Sequence, residues 1–149
     1  MSKEYESMVG IMKLYELRRE ETMRQARDWF VTFNPNSLQD FVDAFTGEHN
    51  AYYRMVTTYW DMAASFVNRG AIDEQMFNDA NVEHIAVFAK VEPFIEDLRA
   101  MSKMPQYLRN LEQLVTRLPN AKEVLANIRE QMQAMNAARA EAANSAEQA

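Results

Sequence analysis

The chain has 149 residues, with three glycines, four prolines, no cysteine, 48% apolar residues and a formal net charge of -6. That length suits one domain whose core needs no covalent staple, and the lack of cysteine excludes disulfide and thiolate chemistry. The acidity is concentrated: residues 38–102 hold eleven acids against four bases, which argues against nucleic acid lying across that part, because phosphate neutralisation needs clustered Lys and Arg.

Taken in chain order, residues 5–33 read as one long helix. Tyr5, Met8, Met12 and Tyr15 recur at helical spacing, and Met23, Ala26, Phe30 and Phe33 resume it beyond a charged waist. Asn34-Pro35-Asn36 ends the run. Ser37 is placed to cap the next helix, with Asp40 three positions on as its reciprocal partner. Leu38, Phe41, Val42 and Phe45 form that helix's inner face, and Thr46-Gly47 closes it. From Glu48 to Arg69 the widest and most aromatic stripe of the chain predicts the central helix, with Trp60 at its middle.

The stretch NRGAIDEQMF, residues 68–77, then reads as a tight corner. Gly70 falls where a left-handed residue closes a helix. Asp73 falls at an N-cap. Ile72 and Phe77 stand at the two positions of a hydrophobic staple. A short helix over 74–79 and a longer one from Val82 to Lys103 follow, the latter kinked or broken at Pro93, which cannot donate to the carbonyl of Ala89. Pro105 is expected to open a helix carrying Leu108, Leu111, Leu114, Val115 and Leu118. The last helix carries Val124, Leu125, Ile128, Met132 and Met135, and 136–149 reads as an Ala-rich fraying helix or disordered tail beyond a single helical domain, 1–135.

The familiar catalytic signatures are missing. The glycines stand at 10, 47 and 70, so there is no phosphate loop. Neither His49 nor His84 follows a glutamate at the spacing of a di-iron bundle, and no metal or cofactor motif is present. Four polar residues beside apolar stripes, Asp61, His84, Glu92 and Arg99, are the candidates for a ligand pocket; the plainer reading is that Glu92 and Arg99 make ordinary ion pairs and that His84 and Asp61 lie at the solvent edge. Lys13, Arg18, Arg19, Arg24 and Arg27 gather around the waist of the first predicted helix, with Glu16, Glu20, Glu21 and Asp28 mixed among them, so a solvated face competes there with a nucleic-acid face. Seven methionines (8, 12, 23, 55, 62, 132 and 135) occupy core-like positions and read as core filling.

The middle of the chain resembles a bacterial all-helical domain of unknown function, the one numbered 4760. The residues that carry the resemblance are Tyr59-Trp60, Asn68-Arg69-Gly70, Ile72-Asp73 with Phe77, and Pro93 through Arg99, within 55–100. The resemblance implies an all-helical fold and no activity. Members of that family often look membrane-anchored through an N-terminal segment; the start of this chain lacks the apolar run such a segment needs.

The expectation is therefore an all-α bundle of five to seven helices around Trp60, cytoplasmic and not an enzyme, acting as an interaction or scaffold protein that pairs with a second copy through its long first or last helix. The alternatives are a small-molecule binder or enzyme using Asp61, His84, Glu92 and Arg99, and nucleic-acid binding through the basic waist.

Overall fold

In the computed structural model, which describes all of residues 1–149, the chain is entirely helical. Its elements are α1 (Lys3–Arg18), α2 (Glu21–Thr32), α3 (Leu38–Thr46), α4 (Asn50–Asn68), α5 (Glu74–Ala80), α6 (Glu83–Val91), a 3-10 turn (Glu92–Phe94), α7 (Ile95–Ser102), α8 (Arg109–Thr116) and α9 (Ala121–Gln148). α4 is the centre. It packs most extensively against α2 and α8, and touches α3, α5 and α6. α6 in turn holds α9. Trp60 is the largest fully buried side chain, with Tyr59, Phe77 and His84 around it. A second aromatic group, Phe30, Phe33, Phe41, Phe45 and Tyr53, fills the space between α2, α3 and α4. No helix is long and apolar enough to cross a membrane.

Three expectations are corrected. The helix expected over 5–33 is two helices, which, with the split at Pro93, takes the helix count beyond five to seven. Glu20 leaves the helical region (ψ 144) and turns its carboxylate onto the N–H groups of Thr22 and Met23, at 3.0 and 2.9 Å. These hydrogen bonds also hold its acid below the usual carboxylate range. The break re-aims α1. Its buried face is Ser7, Gly10, Ile11 and Leu14 rather than Tyr5, Met8, Met12 and Tyr15, a shift of about 130° around the helix at 100° per residue.

Next, Pro105 does not open α8. Residues 105–108 form turns (Tyr107 N to Met104 O, 3.1 Å; Arg109 N to Gln106 O, 3.0 Å), and α8 begins at Arg109 after Leu108, which is buried at φ +53. Tertiary anchoring decides this: Tyr107 reaches the Tyr53 hydroxyl at 2.6 Å, and Leu108 joins the core. Finally, the methionines are not all core filling. Met8, Met12, Met62 and Met135 are exposed. At the far end, α9 continues through Gln148, with every side chain after Asn136 exposed.

The local caps are as the sequence predicts. Ser37 and Asp40 form a reciprocal capping box. Gly70 takes φ +78, the Ala71 N–H reaches Phe66 O and the Gly70 N–H reaches Val67 O, each at 2.9 Å. That pair of bonds is a Schellman closure. Asp73 accepts from Met76 N at 2.9 Å, with Ile72 and Phe77 both buried.

Pro93 converts one turn to 3-10 and leaves the Ala89 carbonyl without its helical donor. Arg129 of α9 fills the gap, its Nη1 donating to Ala89 O at 2.9 Å.

Two outcomes follow for stability in urea. An alanine Cβ at Gly70 would meet nothing within 4 Å, so Gly70→Ala costs only the left-handed backbone, about 1 kcal/mol, and Gly70→Asn costs less. Arg129→Met strands the Ala89 carbonyl and costs about 1–3 kcal/mol. In a Pro93→Ala background, where a backbone N–H is restored, the same substitution costs clearly less. Equal costs in the two backgrounds would disprove the replacement.

Candidate functional site

The four polar candidates of the middle segment are held in separate places. Asp61 of α4 accepts from Leu111 N (2.9 Å) and Asn110 Nδ2 (3.2 Å), at the first turn of α8. The N-cap position of α8 is Leu108, which has no polar side chain, so Asp61 supplies the cap from another helix. Arg99 also serves that region. Its Nε donates to Tyr107 O at 3.0 Å, and its guanidinium pairs with Glu96 (2.9 Å) and Glu112 (3.2 Å).

His84 is not at the solvent edge: it lies in the Trp60–Phe77 group, 1% exposed, with Nε2 3.2 Å from Asn78 Oδ1 and no partner for Nδ1. Burial holds its pKa down at about 4, so the ring is neutral. Glu92 pairs at 3.6 Å with Arg129. Asp61 and Arg99 therefore meet around the start of α8, while His84 and Glu92 stand apart from them. No three His, Asp or Glu side chains are arranged to hold a metal ion.

The basic residues of the predicted first helix are likewise divided. Arg27 forms a two-pronged pair with Glu83 (2.7–3.0 Å). Lys13 pairs with Glu16 at 3.6 Å. Arg18 lies over the Tyr15 and Trp60 rings, and Arg19 over Tyr15. Lys13, Arg19 and Arg24 face solvent, with Glu16 beside Lys13 and Glu20 beside Arg24.

Two surfaces stand out instead. The first is the outer face of α1, where Tyr5, Met8, Val9, Met12 and Tyr15 are each 43–53% exposed. Tyr59 anchors the opposite side of this helix, its hydroxyl donating to Leu14 O, and Ser7 Oγ accepts from Asp73 N at 2.9 Å. Gly10 lets the helix approach closely; a Cβ there would sit 3.3 Å from Ile72. The outer face is thus presented by a helix fixed from behind.

The second is a cleft of about 180 Å³ between α2, α6 and α9. Phe30, Val31, Ala86, Val87, Met132 and Met135 give it apolar walls, and Arg27, Glu83, Lys90 and Arg139 give it charge. Lys90 is only 5% exposed. Its ammonium donates to Phe30 O (2.5 Å) and Val31 O (3.2 Å), carbonyls of the last turn of α2, where a cation is favourable. Burial, with Arg139 adding to it, pushes its pKa down to about 8, so it remains mainly cationic at neutral pH. Nothing local in the sequence marks Lys90, because a lysine in an apolar run, AVFAKVEPF, reads as a polar break in the stripe. Its partners lie 59 and 60 residues away.

The neutral His84 sets an acid limit on stability. Its folded pKa of about 4 lies below its ordinary 6.5, so its contribution is complete above pH 6.5 and declines as pH falls toward 4. A tenfold change in proton affinity is worth ~1.36 kcal/mol, which makes the full loss on the order of 2–4 kcal/mol. His84→Gln should fall less steeply than the natural chain between those pH values in urea titrations. Parallel curves would show that the imidazole does not titrate this way.

Neither curated proteins nor solved structures provide a match. A family model does. Its span, residues 6–118, reaches well beyond the 55–100 segment that carries the resemblance and takes in all but the first residues of α1, through α8. Because that match covers more than half of the chain, the protein belongs to the family described as Domain of unknown function (DUF4760).

Proposed function

We propose that this protein is a non-enzymatic helical interaction module that pairs with a second copy of itself through α1. The observation that carries the reading is the outer face of α1. A soluble helix ordinarily turns its apolar stripe inward. Here Tyr5, Met8, Met12 and Tyr15 recur at spacings of 3, 4 and 3 on the outside, while a less apolar face, Ser7, Gly10, Ile11 and Leu14, packs inward. Spacings of 3 and 4 are those of a helix seam.

Charge adds an orientation. The first turn of α1 carries Glu4 and Glu6, and its end carries Arg18 and Arg19. An antiparallel pairing centred between Ile11 and Met12 sets Met8 against Tyr15 and Glu4 against Arg19 of the second copy. Such exposed pairs contribute little to affinity, about 0.2–1 kcal/mol each, but they select the direction. The alternative based on Asp61, His84, Glu92 and Arg99 is less well supported, because the four do not line one pocket: Asp61 and Arg99 hold the start of α8, Glu92 faces Arg129, and His84 is enclosed by Trp60 and Phe77.

Sedimentation equilibrium tests the reading. The chain should dimerise at micromolar concentration, and Met12→Glu should yield a monomer of unchanged helicity. Arg19→Glu should weaken the dimer, and Glu4→Lys added to it should restore much of the loss. A chain that stays monomeric at millimolar concentration, or a dimer indifferent to Met12→Glu, would remove α1 as the interface.

A further inference from the structure

We propose that the cleft between α2, α6 and α9 binds a small aliphatic monocarboxylate, with its carboxylate between Lys90 and Arg139 and its chain against Phe30, Val87, Met132 and Met135. Of the four charged residues lining the cleft, Arg27 and Glu83 neutralise one another through a two-pronged contact. Lys90 and Arg139 have no carboxylate partner within the chain; they are absent from all of its ion pairs. The cleft therefore carries an unbalanced positive charge in a protein whose net charge is -6.

A buried cation without a counter-ion is costly unless its donors are satisfied. An ammonium has three N–H donors. Two of those on Lys90 go to the Phe30 and Val31 carbonyls, and the ammonium lies 5.1 Å from the Phe30 ring centroid, so one N–H has no oxygen partner in the chain. Arg139 is exposed at the mouth and near enough to depress the Lys90 ammonium. A carboxylate lying between them would meet one buried donor and one solvent-facing guanidinium.

The rest of the cleft sets the ligand's body. Its walls are aliphatic and thioether side chains with one aromatic ring, and Met132 and Met135 give the adaptable lining that suits a flexible chain. The volume of about 180 Å³ is slightly above that of a ~150 Å³ cavity that takes up benzene. The matching chain has roughly six to eight carbons, by comparison with the six of benzene. A neutral alcohol of that length would fill the same walls and leave the cations unpaired. An alkylammonium would be repelled. This site does not depend on pairing through α1, so the two readings stand or fall separately.

Titration calorimetry of the full chain with octanoate, 1-octanol and octylamine provides the test, with Arg139→Gln and Ala86→Leu as variants. Octanoate should bind saturably with one site per chain. 1-Octanol should bind at least tenfold more weakly, and octylamine should not bind. Arg139→Gln changes an exposed residue and should weaken octanoate severalfold while leaving 1-octanol unaffected. Ala86→Leu, which fills the cleft wall, should abolish both if its circular dichroism matches the natural chain. Equal affinity for octanoate and 1-octanol would overturn the assignment of a carboxylate, as would octanoate binding insensitive to Arg139→Gln. No saturable octanoate binding at millimolar concentration would overturn the site.

Discussion

α4 buries Tyr53, Val56, Thr57, Tyr59, Trp60, Ala63, Ala64 and Val67, an arc of about 160° at 100° per residue. One neighbouring helix cannot cover an arc that wide, since the usual core-facing stripe is nearer ~100°. α4 therefore takes α2 on one flank and α8 on another, and the alanines at 63 and 64, fully buried, allow close approach on this face. Much of the remaining chain answers to that placement. α2 must lie along α4, so α1 leaves it at the Glu20 break and finds its own seat across α5. α8 must lie along α4 too, so the 105–108 turn is pulled inward until Leu108 accepts a left-handed backbone. Such a backbone costs a non-glycine residue about 1–2 kcal/mol; Asp61 and Arg99 hold the segment on either side of it.

Short helices packed this way have many ends, and every end leaves orphan backbone groups. The fold meets several of them from a neighbouring helix. Asp61 of α4 caps the start of α8 with a carboxylate. Lys90 of α6 meets the last carbonyls of α2 with an ammonium. Arg129 of α9 meets the Ala89 carbonyl near the end of α6, the one that Pro93 deprives of a donor. Ser7 of α1 receives the Asp73 N–H just ahead of α5. The charges have the sign the helix dipole favours, anion at an N-terminus and cations at C-termini. Side chains that look like the ingredients of a pocket are thus largely the joints between helices.

That distinction explains what the sequence discloses. Helix type and core follow from apolar spacing, because the period is local: Met23, Ala26 and Phe30, and the stripe around Trp60, are buried as their spacing implies. Caps made within a few residues are equally plain, as at Ser37 with Asp40 and at Gly70 with Asp73. Caps supplied from another helix are not, since Asp61 acts 50 residues from Leu111 and Lys90 acts 60 from Phe30. The same limit misplaces α1. If the helix ran straight through Glu20, Tyr5, Met8, Met12 and Tyr15 would fall in line with Met23, Ala26 and Phe30. The Glu20 side chain, bonded to its own backbone neighbours, breaks that phase. Spacing alone carries no sign of it, because Arg18-Arg19-Glu20-Glu21 is as compatible with a solvated helix as with a break.

The cleft depends on these joints. Lys90 is drawn into the interior by the carbonyls of α2, and that position puts a cation against the apolar wall made by Phe30 and Val87. Arg129 holds α9 against the end of α6, and Met132 and Met135 close the cleft one and two turns further along α9. Beyond Asn136 the helix runs out into solvent. The family match ends at residue 118, so the α2 and α6 walls lie inside it, and the wall from α9 lies outside. An occupant would touch α2, α6 and α9 together, and its binding energy would add to the contacts that hold α9 on the domain, most of all where Arg139 is the last cleft residue before the exposed end.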